Sequence, residues 1–307
     1  MKTVAIWITL LLATIMLSSC GTANKDFKKP EFPQLAQEMD LSNAEVTFKL
    51  AKTAFEKELP VYRVSNSPLA QSEVDKLLTV FGFIDPTVMT AKDTTNRNQT
   101  IYTEGEKELC VIDNGNFIFI DHQDYGDIAV SMSDDDVKRQ AKIFLEENGL
   151  LPENFYVGGV GYSTVGSSID PEPIIYEKTV GFFRKIDGYD VYGHSDITVT
   201  YNEHGISEVY SVYNNYVLDR TIECKTIQEA QTRILSPDTW LSFDGEKVKL
   251  GKNIQITDCK IIYYDNASSS IDFIQPCISF EGTIYDIEGK SSAFSSVVPA
   301  LKEDQYK

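Results

Sequence analysis

In the stretch DVYGHSDITVTYNEHGISEVY, Asp190 to Tyr210, two of the chain's three histidines stand among acidic residues, and polar side chains alternate with apolar ones. Asp196, Thr198 and Thr200 take one side of an extended segment while Ile197, Val199 and Tyr201 take the other, the pattern of a strand with one wet face. Asn202-Glu203-His204-Gly205 interrupts the alternation with turn residues, the glycine being suited to positive φ. The stretch therefore reads as a hairpin turned near Glu203-His204. His194 precedes the first strand and His204 sits in the turn, on the order of 30 Å away, too far to share a metal ion. His122, in DHQDYG, reads as a loop residue after a strand. No metal site is expected from any of the three.

The same grammar recurs outward from this hairpin. ELCVI and FIFID form a second one, Leu109–Ile112 with Phe117–Asp121, around Asp113-Asn114-Gly115. Ser133 followed by Asp136, and Thr226 followed by Glu229, are capping-box starts of helices. The acid run Asp134-Asp135-Asp136 suits the first turn of such a helix and lacks the spacing of a calcium loop. Ser67-Pro68 reads as N-cap and first position of a helix with Val74, Leu77, Leu78 and Phe81 on one face, and Phe48 to Glu58 carries helical spacing. Val157 to Ser168, rich in glycine, reads as a flexible crossing. IQITDCKIIYY, IDFIQPCISFEGTIYDI and SAFSSVVPAL supply closing strands. The expected class is α+β, repeated units of antiparallel sheet plus one capped helix, with no parallel α/β core.

The N-terminus is the most specific signal. Lys2 precedes VAIWITLLLATIML, Val4 to Leu17, an apolar run shorter than the roughly 20 residues that a spanning helix needs. Leu17-Ser18-Ser19-Cys20 then resembles a bacterial lipobox, which makes Cys20 the lipidated first residue of the mature chain. The expected organisation is a lipoprotein signal peptide, 1–19; a lipidated cysteine and linker, 20–33; and α+β domains at 34–165 and 166–307. The protein is placed on the outer face of a cell membrane, held by lipid.

Charge excludes one class of partner. A formal charge of −18 over 307 residues repels phosphate backbones, so nucleic acid is not expected. Neither HExxH, GxSxG, GxxxxGK[ST] nor a GxGxxG after a strand occurs, and no cofactor or catalytic residue is assigned. Of the five cysteines, Cys110, Cys224, Cys259 and Cys277 follow Cys20, none at CxxC spacing. A hairpin centred on Ser268 would oppose Cys259 and Cys277, within disulfide reach.

FFRKIDGYDVYGHSDITVTYNEHGISEVYSVY resembles the core hairpin of PepSY-type units, through Phe183, Gly188, Val191, Gly193 and Gly205, with TIQEAQTRI similar to their short capped helix. The C-terminal run FIQPCISFEGTIYDIEGKSSAFSSVVPAL is similar to the closing hairpin of YycI-type regulators of Gram-positive bacteria, through Gln275-Pro276, Phe280, Gly282, Gly289 and Val298-Pro299-Ala300. The likeness covers mainly Thr179 to Leu301, more faintly Leu59 to Phe155. Those regulators use a transmembrane helix where this chain carries a lipobox. The resemblance implies binding: a non-enzymatic regulator that acts on the extracytoplasmic domain of a membrane or secreted protein, such as a kinase or protease. Tyr210, Tyr213 and Tyr216 are candidate contacts. The alternatives are a secreted hydrolase with paired carboxylates and a small-ligand-binding lipoprotein.

Overall fold

A computed structural model describes residues 27–33, 41, 44–50, 55–123, 126, 128–166, 173–243, 253–267 and 271–307. The expected signal peptide and Cys20 lie outside the described residues. The strands are β1 Glu45–Phe48, β2 Glu58–Val64, β3 Thr87–Lys92, β4 Asn98–Glu104, β5 Lys107–Ile112, β6 Phe117–Asp121, β7 Phe155–Val165, β8 Ile174–Ile186, β9 Tyr189–Tyr192, β10 Asp196–Asn202, β11 Gly205–Val212, β12 Tyr216–Glu223, β13 Trp240–Phe243, β14 Asn253–Tyr264, β15 Phe273–Tyr285 and β16 Ser291–Pro299. Between them stand α1 Gln71–Val80, α2 Asp134–Glu147 and α3 Ile227–Gln231.

These elements correct the expected class. Strands take 52% of the described residues and helices 13%, and hydrogen bonds link 16 strands into one large mixed sheet. The chain is mostly β, not repeated α+β units. The reason lies in segments whose strand character has no local signature. Phe48, expected to open a helix, ends β1, and Glu58, expected to close it, begins β2. Residues 51–54 of that expected helix lie outside the described residues. β7 runs through Gly158, Gly159 and Gly161, which the sequence assigns to a flexible crossing; Ser168 at its expected end is not described. Strand pairing overrides the low β propensity of glycine here. Two pairings are parallel, β1 with β14 and β9 with β14.

The sheet has two regions. In the first, β3, β4, β5, β6, β11, β10, β8 and β7 lie side by side, all antiparallel. One face is covered by α1 and α2. Val74 and Leu77 from α1, Phe81 at its C-cap, and Val137, Ala141 and Leu145 from α2 pack on Leu109, Phe119, Phe182, Ile197 and Val199. Each large side chain buried in this way contributes about 1.5–3 kcal/mol. Ser133 caps α2, its Oγ accepting the Asp136 N–H at 3.2 Å. α1 begins at Gln71, three residues after Pro68, with the Glu73 carboxylate accepting the Ala70 N–H at 2.7 Å.

In the second region β14, β15, β16 and β13 follow one another, β1 and β9 share the free edge of β14, and β2 joins β15 to β12. α3 packs on it through Ala230, with Ile234 beyond the helix end, against Ile254, Ile278, Phe280 and Val298. Its start is the expected capping box: Thr226 Oγ1 accepts the Glu229 N–H, and Glu229 accepts the Thr226 N–H at 2.7 Å. β8 joins the regions, because its last residues Lys185 and Ile186 turn at Gly188 to pair with β9. The described part of the expected linker, 27–33, lies against this region: Phe27 and Phe32 are both buried.

Candidate binding surface

The hairpin of the opening stretch forms β10 and β11, with Asn202 paired to Gly205 and Glu203-His204 in the turn. Its apolar side, Ile197, Val199 and Tyr201, faces the first core. The other side is part of a sheet face that none of the described helices covers, since the buried sides of α1 and α2 lie in the first core and that of α3 in the second.

On that outward face the registers align one row across seven strands: Met89, Ile101, Cys110, Ile118, Tyr210, Thr198 and Gly181. Six strand spacings of about 4.8 Å make the row roughly 29 Å long. Met89, at its β3 end, is 53% exposed. Ile101, Ile118 and Tyr210 are half-buried and Cys110 is buried. β3 is also the edge strand, so its outer backbone groups are unpaired within the sheet.

Beside this apolar row runs an acidic one. Glu108 and Glu208 flank Ile120 in register, and Ser207 Oγ donates to Glu177 at 3.4 Å. Burial, and then the Glu177 charge, raise the Glu208 carboxyl above its ordinary value. Burial likewise raises Asp196, which pairs with Val212 on the far side of the row. Burial, with Glu108 and Asp93, pushes the Cys110 thiol up to about 11, so it stays protonated; it donates to Gln99 Oε1 at 3.0 Å. Chemically, the surface offers apolar contact bordered by carboxylates, and among the described residues Glu108, Glu177 and Glu208 make no ion pair.

The three tyrosines named from sequence separate. Only Tyr210 belongs to the outward face. Tyr213 and Tyr216 gather with Phe155 around the buried Arg184 guanidinium, at 5.4, 4.2 and 5.2 Å from ring centre to charge. Arg184 Nη1 donates to the Asn214 carbonyl at 2.6 Å. Asp265, wholly buried, accepts from Asn214 Nδ2 at 2.6 Å and from the Tyr216 hydroxyl at 2.5 Å. This network joins β8 and the β11–β12 connection to the end of β14, a structural role. No sequence signal pairs Arg184 with Asp265.

His122 and His194 are exposed loop residues, and the exposed His204 occupies the turn, its N–H donating to Asn202 Oδ1. Among the described residues no three His, Cys, Asp or Glu side chains are grouped to hold a metal ion. Asp134 at the head of α2 accepts from Lys178 Nζ at 2.8 Å and from the Tyr162 hydroxyl.

The expected Cys259–Cys277 contact is corrected. β14 and β15 do form a hairpin, but Cys259 stands opposite Phe280 and Cys277 opposite Ile262. The offset is three places, about 10 Å along the ladder, and its odd number puts the two side chains on opposite faces. Cys259 enters the core beneath α3, and Cys277 packs with Phe32 and Tyr264. Sequence symmetry about Ser268, which lies outside the described residues, misplaces the ladder's centre.

The residues behind the PepSY-like resemblance serve the backbone. Gly188, Gly193 and Gly205 all have positive φ, Val191 is buried, and the Phe183 ring lies over Gly158 and Gly181. A comparison of the chain with protein-family models and with curated proteins returned no match.

Proposed function

We propose that the protein is a non-enzymatic, lipid-anchored extracytoplasmic binding module that regulates a membrane or secreted protein. Its partner contributes a segment that is apolar along its centre and basic on its flanks. The observation that carries this reading is the uncovered row from Met89 to Tyr210 beside Glu108, Glu208 and Glu177. An apolar centre with a polar rim is the usual anatomy of a recognition surface, and acidic residues of one sign favour a basic partner and speed its encounter. The lipobox at Cys20 supports the membrane location. The chain from Cys20 to Phe27, where the packed body begins, reaches at most about 25 Å, so an anchored body works close to the bilayer.

The test is a photocrosslinking residue placed at Tyr210, and for comparison at Arg139 on exposed α2, in intact cells. The expected result is one protein crosslinked from Tyr210 and not from Arg139, through a mapped segment that is apolar and basic. That crosslink should vanish in Glu108→Lys/Glu208→Lys, and weaken with Cys20→Ala, which removes the proposed lipidation site. Equal or diffuse crosslinking from both positions would overturn the reading.

A further inference from the structure

Among the described residues, β1, β3, β7, β12 and β13 each have one side that no other strand pairs with. Four of them carry features that discourage the addition of a further strand. β1 and β13 are only four residues long. β7 pairs with β8 through register shifts at Val157/Val160 and Ser163/Thr164, and β12 pairs with β2 through one at Leu218/Arg220, beside the charged Asp219. β3 differs. Its six residues, Thr87–Lys92, pair with β4 without a shift, and Lys92, the last of them, is the one that carries charge. In a chain of net charge −18 this edge is free of acid.

The register fixes which backbone groups of β3 face outward. The Asp93 N–H donates at 2.9 Å to the carbonyl of Arg97, its direct partner across the turn into β4. Every second residue of an antiparallel ladder shares this arrangement, so Ala91, Met89 and Thr87 bond to β4 while Val88, Thr90 and Lys92 turn their N–H and C=O away from it. Asn98 agrees: its carbonyl accepts from the Asp113 N–H beside β5 at 3.0 Å and so points away from Lys92, its partner on β3. Val88 is 55% exposed, and Thr90 and Lys92 are exposed. On the helix side an open groove lined by Thr90, Lys92, Thr100 and Leu69 separates β3 from the start of α1, so the edge is accessible.

We propose that β3 is a self-association edge, through which two copies of this chain pair antiparallel about a twofold axis at Thr90. The outward-turned set is symmetric about that residue. Thr90 meets Thr90 of the second copy, and Val88 meets its Lys92, so every outward N–H finds a carbonyl. Thr opposite Thr is a favourable cross-strand pair, and the Lys92 stem covers the exposed Val88. On the other face Met89 meets Ala91, apolar against apolar. A centre at Met89 would instead oppose Lys92 to Pro86, which has no N–H to give. The axis stands perpendicular to the sheet, so the two sheets join into one with both helix layers on the same side, a closed isologous dimer. This pairing leaves the row from Met89 to Tyr210 uncovered and does not rest on the function proposed for it.

The test uses the purified Cys20→Ala chain, so that no terminal cysteine competes, in about 0.5 M NaCl, which screens the repulsion between two acidic bodies. Sedimentation equilibrium is expected to show the mass rising from one chain to two, half-complete at about 10–100 μM, the weak range of a small interface. Thr90→Lys places like charges face to face on the axis and should weaken the dimer at least tenfold. Its thermal midpoint at high dilution should match the parent, because the Thr90 backbone makes no bond to β4. The register is read separately. Under a mild oxidant Thr90→Cys should form a disulfide-linked dimer, its Cα atoms about 5.5 Å apart across the axis. Lys92→Cys should not, because its two copies lie roughly 13 Å apart along the strands. A single-chain mass at every concentration up to about 200 μM would overturn the proposal. So would a dimer that Thr90→Lys leaves intact, or equal crosslinking from positions 90 and 92.

Discussion

Gly193 stands against the Asp265 carbonyl so closely that a Cβ on it would lie 2.2 Å from that oxygen. Here the chain leaves β9 while the Asp265 N–H donates to the Tyr192 carbonyl at 2.8 Å, extending the parallel β9–β14 pairing. Its φ of 105° is one that residues with side chains rarely adopt. The Gly193→Ala chain is therefore expected to lose about 3 kcal/mol or more, strain and backbone collision acting together. Gly205→Ala is the comparison: its φ is 133°, but nothing lies within 4 Å of the added carbon. Urea unfolding of both variants should show the larger loss at Gly193; equal losses would mean that the contact with Asp265 contributes nothing.

Asp265 gives the fold a pH dependence of defined sign. Burial raises its carboxyl above the ordinary value, against hydrogen bonds from Ser195, Tyr216 and Asn214 and the charge of Arg184. The folded chain then holds this proton more tightly than the unfolded one. Its contribution to stability is complete below the ordinary carboxylate value of about 4 and is lost as pH rises through the raised one. Asp265→Asn, neutral throughout, should show a flatter decline of unfolding free energy above about pH 4. An identical pH slope in both proteins would remove Asp265 from the account.

Cys259 and Cys277 should behave as independent residues. With side chains on opposite faces and places about 10 Å apart along the strand, their alanine substitutions should add to within about 0.5 kcal/mol. A reducing agent should leave the thermal midpoint and the intact mass unchanged. A mass gain of two hydrogens on reduction, mapped to this pair, would contradict the register.

Phe183 is 41% exposed, yet its ring fills the space that side chains at Gly158 and Gly181 would occupy. An aromatic laid over strand glycines shields backbone that those glycines leave open. Phe183→Ala should cost about 1–2 kcal/mol, more than the half kilocalorie usual for a surface position. Denaturant midpoints of this variant and of Tyr156→Ala, its aromatic neighbour, make the comparison.

The period-two alternation of Ile197, Val199 and Tyr201 with a glycine turn at 205 is local information, and it specified the β10–β11 hairpin without help. So did Ser133 and Thr226, whose side chains reach only three residues ahead to cap α2 and α3. What stayed hidden depends on partners distant in sequence. β7 is a strand despite its glycines because β8 and the Phe183 ring complete it. The cysteine register depends on a turn length that no residue type encodes. Tyr213 and Tyr216 look like Tyr210 in sequence, and only the position of Arg184 draws them inward. The outward row from Met89 to Tyr210 crosses strands that are separate in the chain, so its alignment exists only once the sheet has formed. The sequence by itself determined the β10–β11 hairpin and the caps of α2 and α3, set by neighbours a few residues apart, and the acidic composition. The tertiary structure alone decided which face was left uncovered, which polar groups met in the interior and which cysteines faced apart. Those follow from strand registers, fixed when burial of one face selects among pairings that are locally near-equivalent.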